Sequence, residues 1–83
     1  MSQPTTEARV RRVIAKTFAL APTTATGDLR MKNPPAWDSL GHMTLLAALE
    51  KEFGFQFAAY TIPELVSLDA IVQEVEKQQP QPA

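Results

Sequence analysis

The chain has 83 residues, of which 45% are hydrophobic, with a formal net charge of −1 and no cysteine. That is enough for one small globular domain, and it excludes a disordered chain, a disulfide framework, a thiolate metal site and a cysteine nucleophile. No apolar run is long enough to span a bilayer, and MSQPTTEARV lacks the apolar stretch of a signal peptide, so a cytoplasmic protein with no membrane partner is expected.

Residues 1–5 read as a flexible end. Thr5 or Thr6 is suited to cap a first helix, because a hydroxyl oxygen accepts from the free N–H groups of the first turn, and Glu7 lies near its positive end. Val10, Val13, Ile14, Thr17 and Phe18 share one face, so the helix is expected to run to about Leu20, with Pro22 stopping it. Arg9, Arg11, Arg12 and Lys16 then fall on the outer face. With no aromatic or basic repeat beside them they predict a solvated surface and no nucleic-acid site. From Ala21 to Trp37 neither helix nor strand period appears, and a structureless connection of that length is uncommon unless it is functional. Leu29, Met31 and Trp37 are expected to pin it to the core, with turns at Gly27-Asp28 and Asn33-Pro34-Pro35.

The stretch Trp37 to Gly54 carries the strongest helix signal. Asp38 or Ser39 can cap its start, Leu45, Leu46, Leu49 and Phe53 line one face, and Gly54 stands where a left-handed terminating residue is expected. Leu40, Met43 and Ala47 form a second stripe at i, i+3 and i+7, which is either a docking face for partners or part of a deeply buried helix. Glu50 and Glu52 sit near the negative helix end, where each costs roughly 0.3–1 kcal/mol. Partner recognition would explain them, and Glu50→Lys is then expected to leave stability unchanged or slightly raised.

Phe55 and Phe57 read as an extended connector. Thr61-Ile62-Pro63-Glu64 fits a capping box opening a short third helix through about Val66, and Ser67 can cap a last helix striped by Leu68, Ile71, Val72 and Val75. Gln78-Gln79-Pro80-Gln81-Pro82 cannot continue it, so residues 78–83 read as a flexible tail. The expected fold class is all-α. Residues 6–77 would form a small bundle of three main helices plus one short helix, with a long first loop. Charge is divided unevenly. Residues 1–32 carry six basic side chains against two acidic ones, and residues 33–83 carry two against seven.

Ser39 is the residue best placed for chemistry, since an oxygen there sits beside unpaired N–H groups at the positive end of a helix. Asp38-Ser39-Leu40 opening a helix that continues as LLAALEKEFG resembles the phosphopantetheine attachment motif of acyl carrier proteins, and the resemblance covers nearly the whole chain, most weakly at its ends. It implies a non-catalytic acyl carrier. On Ser39 a phosphopantetheinyl transferase would place 4′-phosphopantetheine from coenzyme A, and the same enzyme would read Asp38. The second stripe, Leu40, Met43 and Ala47, together with Glu50 and Glu52 of the acidic second helix for which the family is known, would then be the interface for acyl-loading and acyl-processing enzymes of the ligase, ketosynthase, acyltransferase or thioesterase type. It also implies a monomer serving a fatty-acid-like, polyketide or other specialised pathway. Trp37 before the motif and its continuation as SLGHM look like discrete carriers of specialised pathways.

The chain departs from the family's pattern in its charge. It is less acidic than fatty-acid carriers, Lys51 interrupts the acidic run, and Gly41 and Thr44 stand where acids are frequent, so a more apolar interface is expected. A peptidyl or aminoacyl carrier, of nonribosomal or D-alanyl type, is the nearest rival. Those of nonribosomal type usually place glycines and a histidine or aspartate before the serine, in contrast to Ala36-Trp37-Asp38. From other classes, a helix-turn-helix DNA binder and a small serine hydrolase are the alternatives. For the hydrolase, His42 lies three residues from Ser39 and is the candidate base, although 83 residues leave little room for a pocket and an oxyanion hole. Otherwise His42 is expected on the helix surface, touching the arm. One histidine without cysteine argues against a metal site.

Overall fold

A computed structural model of the chain describes residues 5–78. Apart from Thr5 and Gln78, the flexible ends expected at 1–5 and 78–83 lie outside the described residues. The architecture is all-α. Helices α1 (Thr6–Phe18), α3 (Ser39–Phe53) and α4 (Leu68–Gln78) form a small bundle, joined by a short helix α2 (Pro22–Ala25) and a 3-10 helix (Ala59–Glu64). α1 packs on both α3 and α4. None of the described helices is long and apolar enough to cross a membrane.

Each long helix begins on a side-chain cap. Thr5 Oγ1 accepts from the Ala8 N–H at 3.0 Å, Asp38 Oδ1 from Gly41 at 2.8 Å, and Ser67 Oγ from Ala70 at 3.2 Å. The core is built where the apolar stripes meet: Val10 and Ile14 of α1, Leu45, Leu46, Leu49 and Phe53 of α3, and Leu68, Ile71 and Val75 of α4. Val13, Phe18 and Val72 pack at its edge. α1 stops two residues short of Leu20, because Ala19 turns left-handed (φ 53°) and its N–H closes on the Ala15 carbonyl. Pro22 does not end α1. It opens α2 at the first helical position, where its missing N–H removes no helical hydrogen bond.

The first loop is therefore not wholly structureless, and the backbone accounts for its order. Leu68 N–H donates to the Leu29 carbonyl at 2.9 Å and Met31 N–H to Val66 at 2.8 Å, which fastens the loop to the start of α4. Inside it, Lys32 N–H reaches the Trp37 carbonyl at 2.7 Å, and Asn33 Nδ2 donates to Asp28 at 2.6 Å. Leu29 and Trp37 are buried and Met31 is half-buried, as expected of anchors. Arg11 is no solvated surface residue. Its Nη1 donates to the carbonyls of Ala25 (2.9 Å) and Gly27 (2.8 Å), so one guanidinium nitrogen ties α1 to the turn that follows α2. Arg9 likewise turns inward, 4.4 Å above the Phe53 ring and 3.3 Å from Glu52, linking α1 to α3.

After α3, Phe55 and Phe57 form an edge-to-face pair at 4.9 Å in an extended connector, as predicted. The capping box does not form. The 3-10 helix starts at Ala59, two residues before Thr61, and the Thr61 hydroxyl donates back to the Ala58 carbonyl at 2.6 Å. α4 reaches Gln78, one residue past the expected domain boundary.

Candidate functional site

The site lies where the first loop meets the start of α3. Asp38 is the cap and Ser39 the first helical residue, which resolves the choice between them. Ser39 is exposed, and its hydroxyl has no hydrogen-bond partner among the described residues. It projects at the end where unpaired N–H groups and the helix dipole favour negative charge.

Behind this exposed hydroxyl the site is rigid. Trp37 is fully buried, its ring nearly parallel to those of Phe18 (centroids 6.0 Å apart) and His42 (6.2 Å). The indole Nε1–H donates to His42 Nδ1 at 3.0 Å. Nδ1 must then carry the lone pair, which leaves the proton on Nε2, where it is donated to the Ile62 carbonyl at 2.9 Å. His42 is thus neither a surface residue nor one that touches an arm, being 4% exposed. Nor can it act as a base toward Ser39, because its single lone pair is already occupied. The signal for burial was present in the spacing: His42 precedes Leu45, Leu46 and Leu49 by three, four and seven residues, on the same helix face.

Gly41 permits the loop to close over this end of α3. A Cβ at that position would overlap the Ala36 carbonyl oxygen and lie 3.0 Å from the Phe18 ring. No acidic residue fits there, which accounts for one departure from the charge pattern expected of the motif.

The second stripe faces outward, so it is not part of a deeply buried helix. Leu40 is 78% and Met43 52% exposed, and Ala47 is exposed as well. Sequence reasoning missed Tyr60, which stands 79% exposed on the 3-10 helix that His42 ties to α3. A lone tyrosine between a connector and a short helix offers no periodic signal. The two carboxylates expected at a partner interface have structural employment. Glu50 is half-buried and its Oε2 accepts from the Phe57 N–H at 2.8 Å, capping the chain as it leaves α3. Glu52 pairs with Arg9. The exposed face of α3 is accordingly apolar near Ser39 and carries little free negative charge.

These positions separate folding from docking. Glu50→Lys is expected to lower stability by about 1–3 kcal/mol, since it leaves a half-buried N–H without its charged acceptor. This reverses the expectation drawn from the helix dipole alone. Met43→Glu places charge on an exposed face and should change stability by less than about 0.5 kcal/mol. Urea denaturation of the two variants checks both values, and a Met43→Glu protein as damaged as Glu50→Lys would return Met43 to the core.

No model of a known protein family matches this sequence, and neither does any curated protein sequence.

Proposed function

We propose that the protein is an acyl carrier that holds its cargo through Ser39. The observation that carries this reading is an exposed, unbonded serine hydroxyl as the first residue of α3, directly behind the Asp38 cap. A phosphodiester on Ser39 meets the N–H groups and positive dipole end that make helix starts hospitable to phosphate. The resemblance of Asp38-Ser39-Leu40 and the following helix to the attachment motif of acyl carrier proteins supports the same conclusion. When bound, 4′-phosphopantetheine supplies a terminal thiol that carries an acyl group as a thioester.

The chain's own residues have simpler tasks. Asp38 holds the first turn and, by the resemblance, is read by the transferase. Trp37 and His42 fix the loop and the 3-10 helix to the start of α3. Leu40, Met43 and Tyr60 give loading and processing enzymes an apolar surface beside the cargo. The hydrolase alternative lacks a base once His42 is committed to Trp37 and Ile62.

Incubation with coenzyme A and a permissive phosphopantetheinyl transferase is expected to add one phosphopantetheine by intact mass. Ser39→Ala should abolish the addition while retaining the helical circular dichroism. A wild type that several transferases leave unmodified, or an addition that persists in Ser39→Ala, overturns the proposal.

A further inference from the structure

We infer that the groove between α1 and α3 receives the exposed acidic face of α4 from a second copy of this chain. The groove is lined by Val13, Lys16 and Thr17 of α1 and by Ala48, Lys51 and Glu52 of α3. Both triplets follow i, i+3, i+4 spacing, so each helix contributes one turn of one face. Val13 and Ala48 make a small apolar floor. Lys16 and Lys51 are exposed, and among the described residues neither ammonium has an ion-pair or hydrogen-bond partner. The one acid in the groove, Glu52, is engaged by Arg9. Favourable placement in the last turn of each helix explains a lysine on α1 and another on α3, but not why both line one groove.

The spacing defines what fits. α1 and α3 run antiparallel, because Phe18 lies beside Gly41 while Arg9 lies over Phe53. In that register Lys16 falls level with about residue 44, and Lys51 stands about 10 Å further along the axis at 1.5 Å per residue. A complementary helix carries carboxylates about seven residues apart with an apolar side chain between them. α4 has this arrangement in Asp69, Val72 and Glu76, at i, i+3 and i+7. Asp69 and Glu76 are exposed and have no ion-pair partner among the described residues, and Val72 is half-buried at the edge of the strip. Lys77 stands about a quarter turn away from it. The groove draws one lysine from each half of the sequence, whereas the strip on α4 lies wholly in the acidic half, and together they make two patches of opposite charge on one molecule. A near-zero net charge leaves little general repulsion to keep copies apart. Because the two patches differ, the contact is head-to-tail and can extend from copy to copy.

The inference departs from the monomer implied by the family resemblance, and it is independent of Ser39. Sedimentation equilibrium of the full chain tests it. At low salt the weight-average mass is expected to rise above that of one chain as concentration increases. Added salt should return it to one chain as the screening length falls from about 30 Å at 0.01 M to about 3 Å at 1 M. Lys16→Glu/Lys51→Glu and Asp69→Lys/Glu76→Lys should each stay at single-chain mass, while an equimolar mixture of the two associates again. If circular dichroism shows that the reversal disturbs a helix, Lys16→Gln/Lys51→Gln replaces it and should also stay single. A wild type at single-chain mass throughout, association that survives salt or charge reversal, or a mixture that does not associate overturns the inference. So does a wild type that stays single while a synthetic Glu–Leu–Glu helix of the same spacing binds the groove, which would assign it to an acidic helix of another protein.

Discussion

Trp37→Ala is expected to remove about 3–5 kcal/mol of stability, the usual cost of deleting a large buried aromatic. The ring is fully buried and nearly parallel to the rings of Phe18 in α1 and His42 in α3, so its loss leaves a cavity between the first loop and these two helices. It also strands His42 Nδ1, an acceptor in a residue only 4% exposed, at a further penalty of about 1–3 kcal/mol. Whole domains have about 5–15 kcal/mol in total, so this variant should be largely unfolded at ambient temperature. Trp37→Phe separates the two contributions, because it keeps an aromatic ring and removes only the donor. Combined with His42→Phe in a double-mutant cycle, it should show a coupling of about 0.5–3 kcal/mol, as expected of residues in direct contact. Guanidinium denaturation gives each value. A Trp37→Ala protein within about 1 kcal/mol of wild type would mean that the loop is not held by this ring.

The bond between Trp37 and His42 also shows what a sequence hides. Both ends of α3 were legible, because Asp38 and Gly54 are strong local signals and Leu45, Leu46, Leu49 and Phe53 repeat at helical spacing. Leu29 and Trp37 were legible as anchors because large apolar residues in a polar loop have few other uses. His42 was misread for the opposite reason. Its polarity suggested the surface, and the indole that satisfies it lies outside the apolar stripe. Arg11 and Glu50 were misread similarly, since their partners are backbone groups of the Ala25–Gly27 turn and of Phe57, and no side-chain pattern announces a backbone carbonyl or N–H. The end of α1 was misplaced because Ala19 adopts a left-handed conformation more usual for glycine, and because proline both stops helices and starts them. Local chemistry was readable. Tertiary hydrogen bonds made by charged and polar side chains were not.

Gly41→Ala shows how one missing carbon shapes the site. Helix propensity alone predicts a gain of about 1 kcal/mol, since glycine is poor inside a helix. The structure predicts the opposite sign. The added Cβ would overlap the Ala36 carbonyl oxygen, a backbone atom that cannot rotate aside as a flexible side chain would, and would press on the Phe18 ring at 3.0 Å. Relief requires moving residue 36 and with it Trp37, whose N–H and ring are both fixed. Overpacking of this kind costs about 1–3 kcal/mol, enough to outweigh the propensity gain. Gly27→Ala is the control, because a Cβ there meets only the Thr24 carbonyl at 3.4 Å, an ordinary contact, and its effect should stay within about 0.5 kcal/mol. The Gly41 N–H is also the donor that Asp38 accepts, so a shifted loop loosens the cap behind Ser39. Arm attachment to Gly41→Ala should therefore be slower than to Gly27→Ala under identical transferase conditions, as read by the time course of intact mass. A Gly41→Ala protein more stable than wild type in urea would show that propensity prevails and that the loop yields without cost.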